Sequence, residues 1–144
     1  MSLITTPPPG DSFRREGGDH ANLKVTPQDD PNLSVKLSAG NYWNLSGQYL
    51  EFAGASSISI SRPTGANQTR FVMIGLDDVG NAQAVVGAAV VVTTSSYDLP
   101  PQPELPDTPS GGFLPLGAVR VKGTDTQILD NHIFDLRTAQ KMTF

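Results

Sequence analysis

The side chains able to do covalent or acid–base chemistry are few in this chain, and their spacing decides what they can do. Gly10-Asp11-Ser12 is the opening of a hydrolase nucleophile motif. Such a serine needs a strand before it and a partnered histidine. Ser12 instead follows Pro7-Pro8-Pro9, and the leucine that completes the motif is missing. Asp130 and His132 stand two residues apart rather than three, so no Asp-x-x-His pair lies near the C-terminus. Asp11 and Ser12 are therefore expected to be turn or cap residues.

The histidines, His20 and His132, keep no metal-ligand spacing to carboxylates. Asp29-Asp30 and Asp77-Asp78 lack the D-x-D-x-D-G loop of a calcium site and read as turn residues. Lys122-Gly-Thr has the wrong order for a phosphate cradle. Fourteen carboxylates among 144 residues form pairs by chance, so no glycosidase dyad can be argued. Tyr42, Trp43, Tyr49 and Phe52 cluster; they could stack on a sugar ring, but aromatic residues on strands usually serve the core, and that is the expectation. The chain reads as non-enzymatic, with no catalytic residue, metal or cofactor.

Composition narrows the partners. A net charge of −4 makes the chain a poor binder of nucleic acid, since phosphate contacts need clustered Lys and Arg. No run reaches the roughly 18 apolar residues of a membrane-spanning helix. Met1-Ser-Leu-Ile-Thr-Thr lacks the charged and apolar regions of a secretory signal, so Asn32, Asn44 and Asn67 read as chance glycosylation matches. There is no cysteine, in keeping with assembly in a reducing cytoplasm.

The elements follow from periodicity and punctuation. Residues 1–22 have no apolar period and contain a triple proline, which favours polyproline II. They are expected to form an extended arm lying along a neighbouring subunit or another protein. Leu3, Ile4 and Phe13 would be its apolar anchors and Arg14 and Arg15 its charged ones. Residues 23–144 are expected to form a single β-domain. Leu33–Leu37 and Ser57–Ser61 alternate apolar and polar, the period of a half-buried strand. Tyr42–Leu45 and Gln48–Phe52 flank Ser46-Gly47; Thr69–Leu76 ends at the turn Asp78-Val-Gly-Asn81. The run Ala84–Val92 is too short to span a bilayer and reads as a strand without a polar face. Val85, Val86, Val90, Val91 and Val92 are expected in the core or at a subunit interface. Residues 98–112 hold five prolines and must be an extended connection over the surface. Phe113–Val121 is a further strand, Lys122–Asp125 a turn, and Gln127–Leu136 a last mixed element. This pattern predicts an all-β fold, an antiparallel sandwich or barrel with an N-terminal arm and a proline-rich connection. Ile128, Ile133 and Leu136 would anchor the chain end, where Asp130, Asp135 and Arg137 could form a charge-assisted network.

Residues 69–137 resemble a module of tail-fibre, baseplate and head-decoration proteins of tailed bacteriophages. The likeness rests on Phe71-Val-Met-Ile-Gly-Leu-Asp77, the Val-rich strand and the proline connection. It continues in Gly112-Phe-Leu-Pro-Leu-Gly-Ala-Val-Arg-Val121 and closes on Thr126-Gln-Ile-Leu-Asp-Asn-His-Ile-Phe-Asp-Leu-Arg137. Gly117 stands where alanine is usual, and the proline connection is longer than usual. The resemblance implies a structural virion protein, with two readings. The favoured one is a head cement (decoration) protein on the capsid exterior, bound to the major capsid protein and to copies of itself as a homotrimer. The other is a tail-fibre or baseplate component involved in recognising a host glycan.

Overall fold

A computed structural model of the chain describes residues 22–92 and 103–137. The expected arm, with Leu3, Ile4, Phe13, Arg14 and Arg15, lies outside the described residues, as do Ser12 and His20. The elements are ten strands and one 3-10 turn: β1 (Val25–Asn32), β2 (Ser34–Leu37), β3 (Gly40–Trp43), β4 (Tyr49–Phe52), β5 (Ala55–Ser59), β6 (Gln68–Asp77), β7 (Ala82–Val86), β8 (Val90–Val91), β9 (Phe113–Lys122), the turn Asp130–His132 and β10 (Ile133–Asp135). The fold is all-β, with every strand pair antiparallel.

Two sheets pack face to face as a sandwich. The smaller has the order β1-β2-β5 and the larger β10-β9-β6-β7, with β8 pairing β6 beyond β7. Period-two alternation places Val72, Ile74 and Leu76 of β6 on the inner face, opposite Val25, Val35 and Leu37 of the small sheet. Leu116, Val119 and Val121 of β9 and Ile128 complete this layer. The β3–β4 hairpin closes one end, Tyr42 buried and Leu50 and Phe52 packed against the core. No backbone ladder among the described residues joins the two sheets into a barrel.

A bulge shapes β9. The register runs from Ile74 opposite Gly117 to Gly75 opposite Pro115, so Leu116 is the extra residue. Pro115 sits where the ladder shifts, which suits a residue without an N–H. Gly117 is fixed by the facing sheet. A Cβ there would stand 2.8 Å from Val25 Cγ2. Gly117→Ala is expected to destabilise the domain by about 1–3 kcal/mol through overpacking. Equilibrium urea unfolding checks this, and adding Val25→Ala should cost less than the sum of the single changes.

The described part of the proline-rich connection, residues 103–112, forms no strand or helix and turns at Ser110-Gly111. Pro103 is buried, and the Glu104 carbonyl and Pro106 close on Gly87.

Candidate interaction surfaces

The first surface is the edge of the larger sheet. The run 84–92, expected as one strand without an exposed face, is two strands divided at Gly87. Gly87 donates its N–H to the Phe71 carbonyl at 2.8 Å and has no room for a side chain, since a Cβ would stand 2.9 Å from that oxygen. Both strands lie along the same side of β6, β7 on Val72–Leu76 and β8 on Gln68–Thr69. Of the two places expected for these valines, the core and a subunit interface, the core is corrected: Val86 is 47% and Val91 43% exposed, and Val85, Val90 and Val92 are half-buried. They belong to an edge, which among the described residues is paired by a backbone ladder on only one flank.

The hydrogen-bond pattern defines this edge. Asp77 N–H donates to the Asn81 carbonyl and Gly87 N–H to Phe71, so residues 81, 83, 85 and 87 bond inward to β6. By the alternation of an antiparallel ladder, Ala82, Ala84 and Val86 direct their N–H and C=O groups away from it. Strand β5 lies beside β7, yet no backbone hydrogen bond between them occurs among the described residues. Residues 82–92 contain no charged residue and no proline, the usual devices that blunt a free edge.

The second feature is the chain end. Arg137 is 1% exposed and spans from the C-terminal segment to the start of the domain. It donates from Nε and Nη2 to the two Asp135 carboxylate oxygens at 3.0 and 2.7 Å, and from Nη1 to the Asn22 carbonyl at 2.8 Å. The Asp135–Arg137 half of the expected network therefore forms. Asp130 is exposed and stands apart from it. Ile128 is fully buried, Ile133 packs against the core, and Leu136 N–H donates to the Leu116 carbonyl. His132 accepts a bond from Leu129 N–H at Nδ1, 3.0 Å, and so shapes the 3-10 turn.

The third feature is the β3–β4 hairpin. Its aromatic cluster divides between two faces. Tyr42 and Phe52 point inward, as expected of core residues. Trp43 and Tyr49 do not: they are 47% and 53% exposed, a correction to the core reading. They are directly opposed across the hairpin, with ring centroids 5.0 Å apart and planes tilted by 55°. Alternation already separates 42 from 43, and the Ser46-Gly47 turn sets 43 against 49, so the spacing gives the pairing but not the face that meets the core.

The hairpin is fixed to the β6–β7 turn. Tyr42 donates its hydroxyl to the Asp77 carbonyl at 2.9 Å, Asn44 its amide to the Asp78 carbonyl at 3.0 Å, and Leu45 its N–H to Asp78 Oδ1 at 2.8 Å. Asp77 is a turn residue, its carboxylate accepting from Val79 and Asn81 N–H and from the Gln83 amide. The Asn81 backbone N–H, against the opposing effect of burial, holds that carboxyl below its ordinary value, helped by the Val79 N–H and the Gln83 amide. Asp29 pairs on the surface with Lys36 at 2.9 Å, an exposed bridge of little energetic weight. Among the described residues no three His, Asp or Glu side chains converge as a metal site, and no helix is long and apolar enough to cross a membrane.

A scan against protein-family models, a search of curated proteins and a search of solved structures each found no match.

Proposed function

We propose that this protein is a non-enzymatic structural subunit of a tailed-phage virion. In this reading it is a head cement protein that joins copies of itself through the β7–β8 edge and binds the capsid exterior. The observation that carries the assembly is that edge, which is uncharged, has unspent backbone groups and carries Val86 and Val91 almost half exposed. A closed oligomer hides such an edge in every subunit at once. The virion reading rests on the resemblance of residues 69–137. These residues span the larger sheet, β6 to β10, except for Gln68, so the likeness falls on one sheet of the sandwich. The trimer is taken by analogy with decoration proteins. The arm would lie on a neighbour, with Leu3, Ile4, Phe13, Arg14 and Arg15 as contacts.

Sedimentation of the full chain and of Val86→Lys/Val91→Lys tests the assembly. Both positions are exposed enough that lysine should change the stability of a single chain by only about 0.5 kcal/mol or less each. In an interface the same charges would cost several kcal/mol. The expected result is an oligomer that becomes a folded monomer in the double variant, with unchanged circular dichroism. The variant should also lose attachment to heads, as should a chain lacking residues 2–16. A wild-type monomer, or an oligomer indifferent to both lysines, refutes the edge as the interface.

A further inference from the structure

We propose that the outward face of the β3–β4 hairpin is a saccharide-docking platform. On it a hexopyranose ring stacks against Trp43 and Tyr49 while the Asn41 amide and Glu51 carboxylate take the hydrogen bonds of hydroxyl groups on the adjoining sugar. The inference is independent of the assembly through the β7–β8 edge.

Four outward side chains make up this face, because strict alternation sends Tyr42, Leu50 and Phe52 to the core. Trp43 lies opposite Tyr49 and Asn41 opposite Glu51. All four are exposed. The second pair is two residues along from the first, about 7 Å at strand rise, roughly the reach from the centre of a pyranose ring to a hydroxyl on the next sugar. Neither the Asn41 amide nor the Glu51 carboxylate has a hydrogen-bond partner among the described residues. A sugar has the matching chemistry: an apolar C–H face for the rings and a rim of hydroxyl donors and acceptors.

Other occupants fit less well. An apolar protein surface would bury Asn41 and Glu51 unpaired. A second copy docked by this face about a two-fold axis would bring two Glu51 carboxylates together in a chain of net charge −4. An ammonium cage needs opposed rings with space between them. Here the ring centroids are 5.0 Å apart and the planes tilted by 55°, which leaves no room for an ammonium group between them. The platform is also held before any ligand arrives, since Tyr42, Asn44 and Leu45 fix the hairpin to Asp77 and Asp78. A cross-strand aromatic pair stabilises a hairpin in any case, so the test must read binding rather than stability.

The chain has one tryptophan, so its intrinsic fluorescence reports on Trp43 alone. Maltotriose, chitotriose and lactose are titrated into the full-length protein. At least one should give a saturable change in emission. Tyr49→Ala should weaken that sugar by about tenfold, the effect of losing one aromatic stack of ordinary strength. Glu51→Gln, which leaves both rings and the hairpin in place, should weaken it by about threefold to tenfold, the scale of one hydrogen bond. Four results overturn the proposal: no response to any of the three sugars; equal binding by Glu51→Gln and by a folded Tyr49→Ala; a response to trilysine alone, which would make the site a cation site; or emission that depends on protein concentration alone, which would place a second copy on the face. None of these bears on the lysine variants of the β7–β8 edge.

Discussion

Asp135→Ala is expected to destabilise the domain by about 3 kcal/mol, because it takes two charge-assisted hydrogen bonds from a buried guanidinium. Arg137 is 1% exposed, and both Asp135 oxygens accept from it. The Asn22 carbonyl also accepts from it. Asp135→Ala/Arg137→Met should recover much of the loss, since replacing both partners by apolar groups removes the burial penalty along with the attraction. Thermal unfolding of the four proteins checks this. Protonation should act in the same direction as the substitution. Burial of Asp135 favours its neutral form, but the hydrogen bonds and charge of Arg137 outweigh it, with a small contribution from Lys24, and hold the carboxyl below its ordinary value of 3.8. The folded value is thus lower than the unfolded one. The stability from this group is fully present above 3.8 and is lost as pH falls through the folded value. The gap between wild type and Asp135→Ala in urea midpoint should therefore be wide at neutral pH and narrow as the solution is acidified below that range. A constant gap would show that the ion pair contributes nothing.

Gly75→Ala should cost about 3 kcal/mol or more, at the upper end of overpacking effects. Gly75 sits at the register shift between β6 and β9, facing Pro115. A Cβ there would fall onto the Leu114 carbonyl oxygen and the Phe113 ring. The ring could turn aside, but the carbonyl belongs to the neighbouring strand and can move only if the bulge reorganises. The loss should appear as a lowered denaturant midpoint with an unchanged slope, because the same surface is exposed on unfolding. A variant as stable as the wild type would mean that the bulge is free to slide.

Local pattern carried much of the fold. Val72, Ile74 and Leu76 alternate, Asp78-Val-Gly-Asn81 turns the chain, and Pro103, Pro106 and Pro109 keep the described residues 103–112 out of strands. Each of these depends on neighbours in sequence, so the fold class and most strand positions were legible. The arrangement of Asp135 and Arg137 was legible in kind, as a charge pair two residues apart. That it closes on the Asn22 carbonyl was not, because the two positions are 115 residues apart.

Three features were decided by the tertiary structure alone. Composition marks Ala84–Val92 as apolar, but the break at Gly87 arises because Phe71, Glu104 and Pro106 close around that residue. Apolar character alone cannot tell a central strand from an edge, because the difference lies in whether a second strand pairs on the far side; here none among the described residues does. Trp43 and Tyr49 are as apolar as Tyr42 and Phe52, and which pair meets the core depends on the face that the hairpin turns toward β6. Sequence determines the alternation of side chains along a strand. The direction in which that alternation points is set only when the sheets pack, since packing decides which face loses its water.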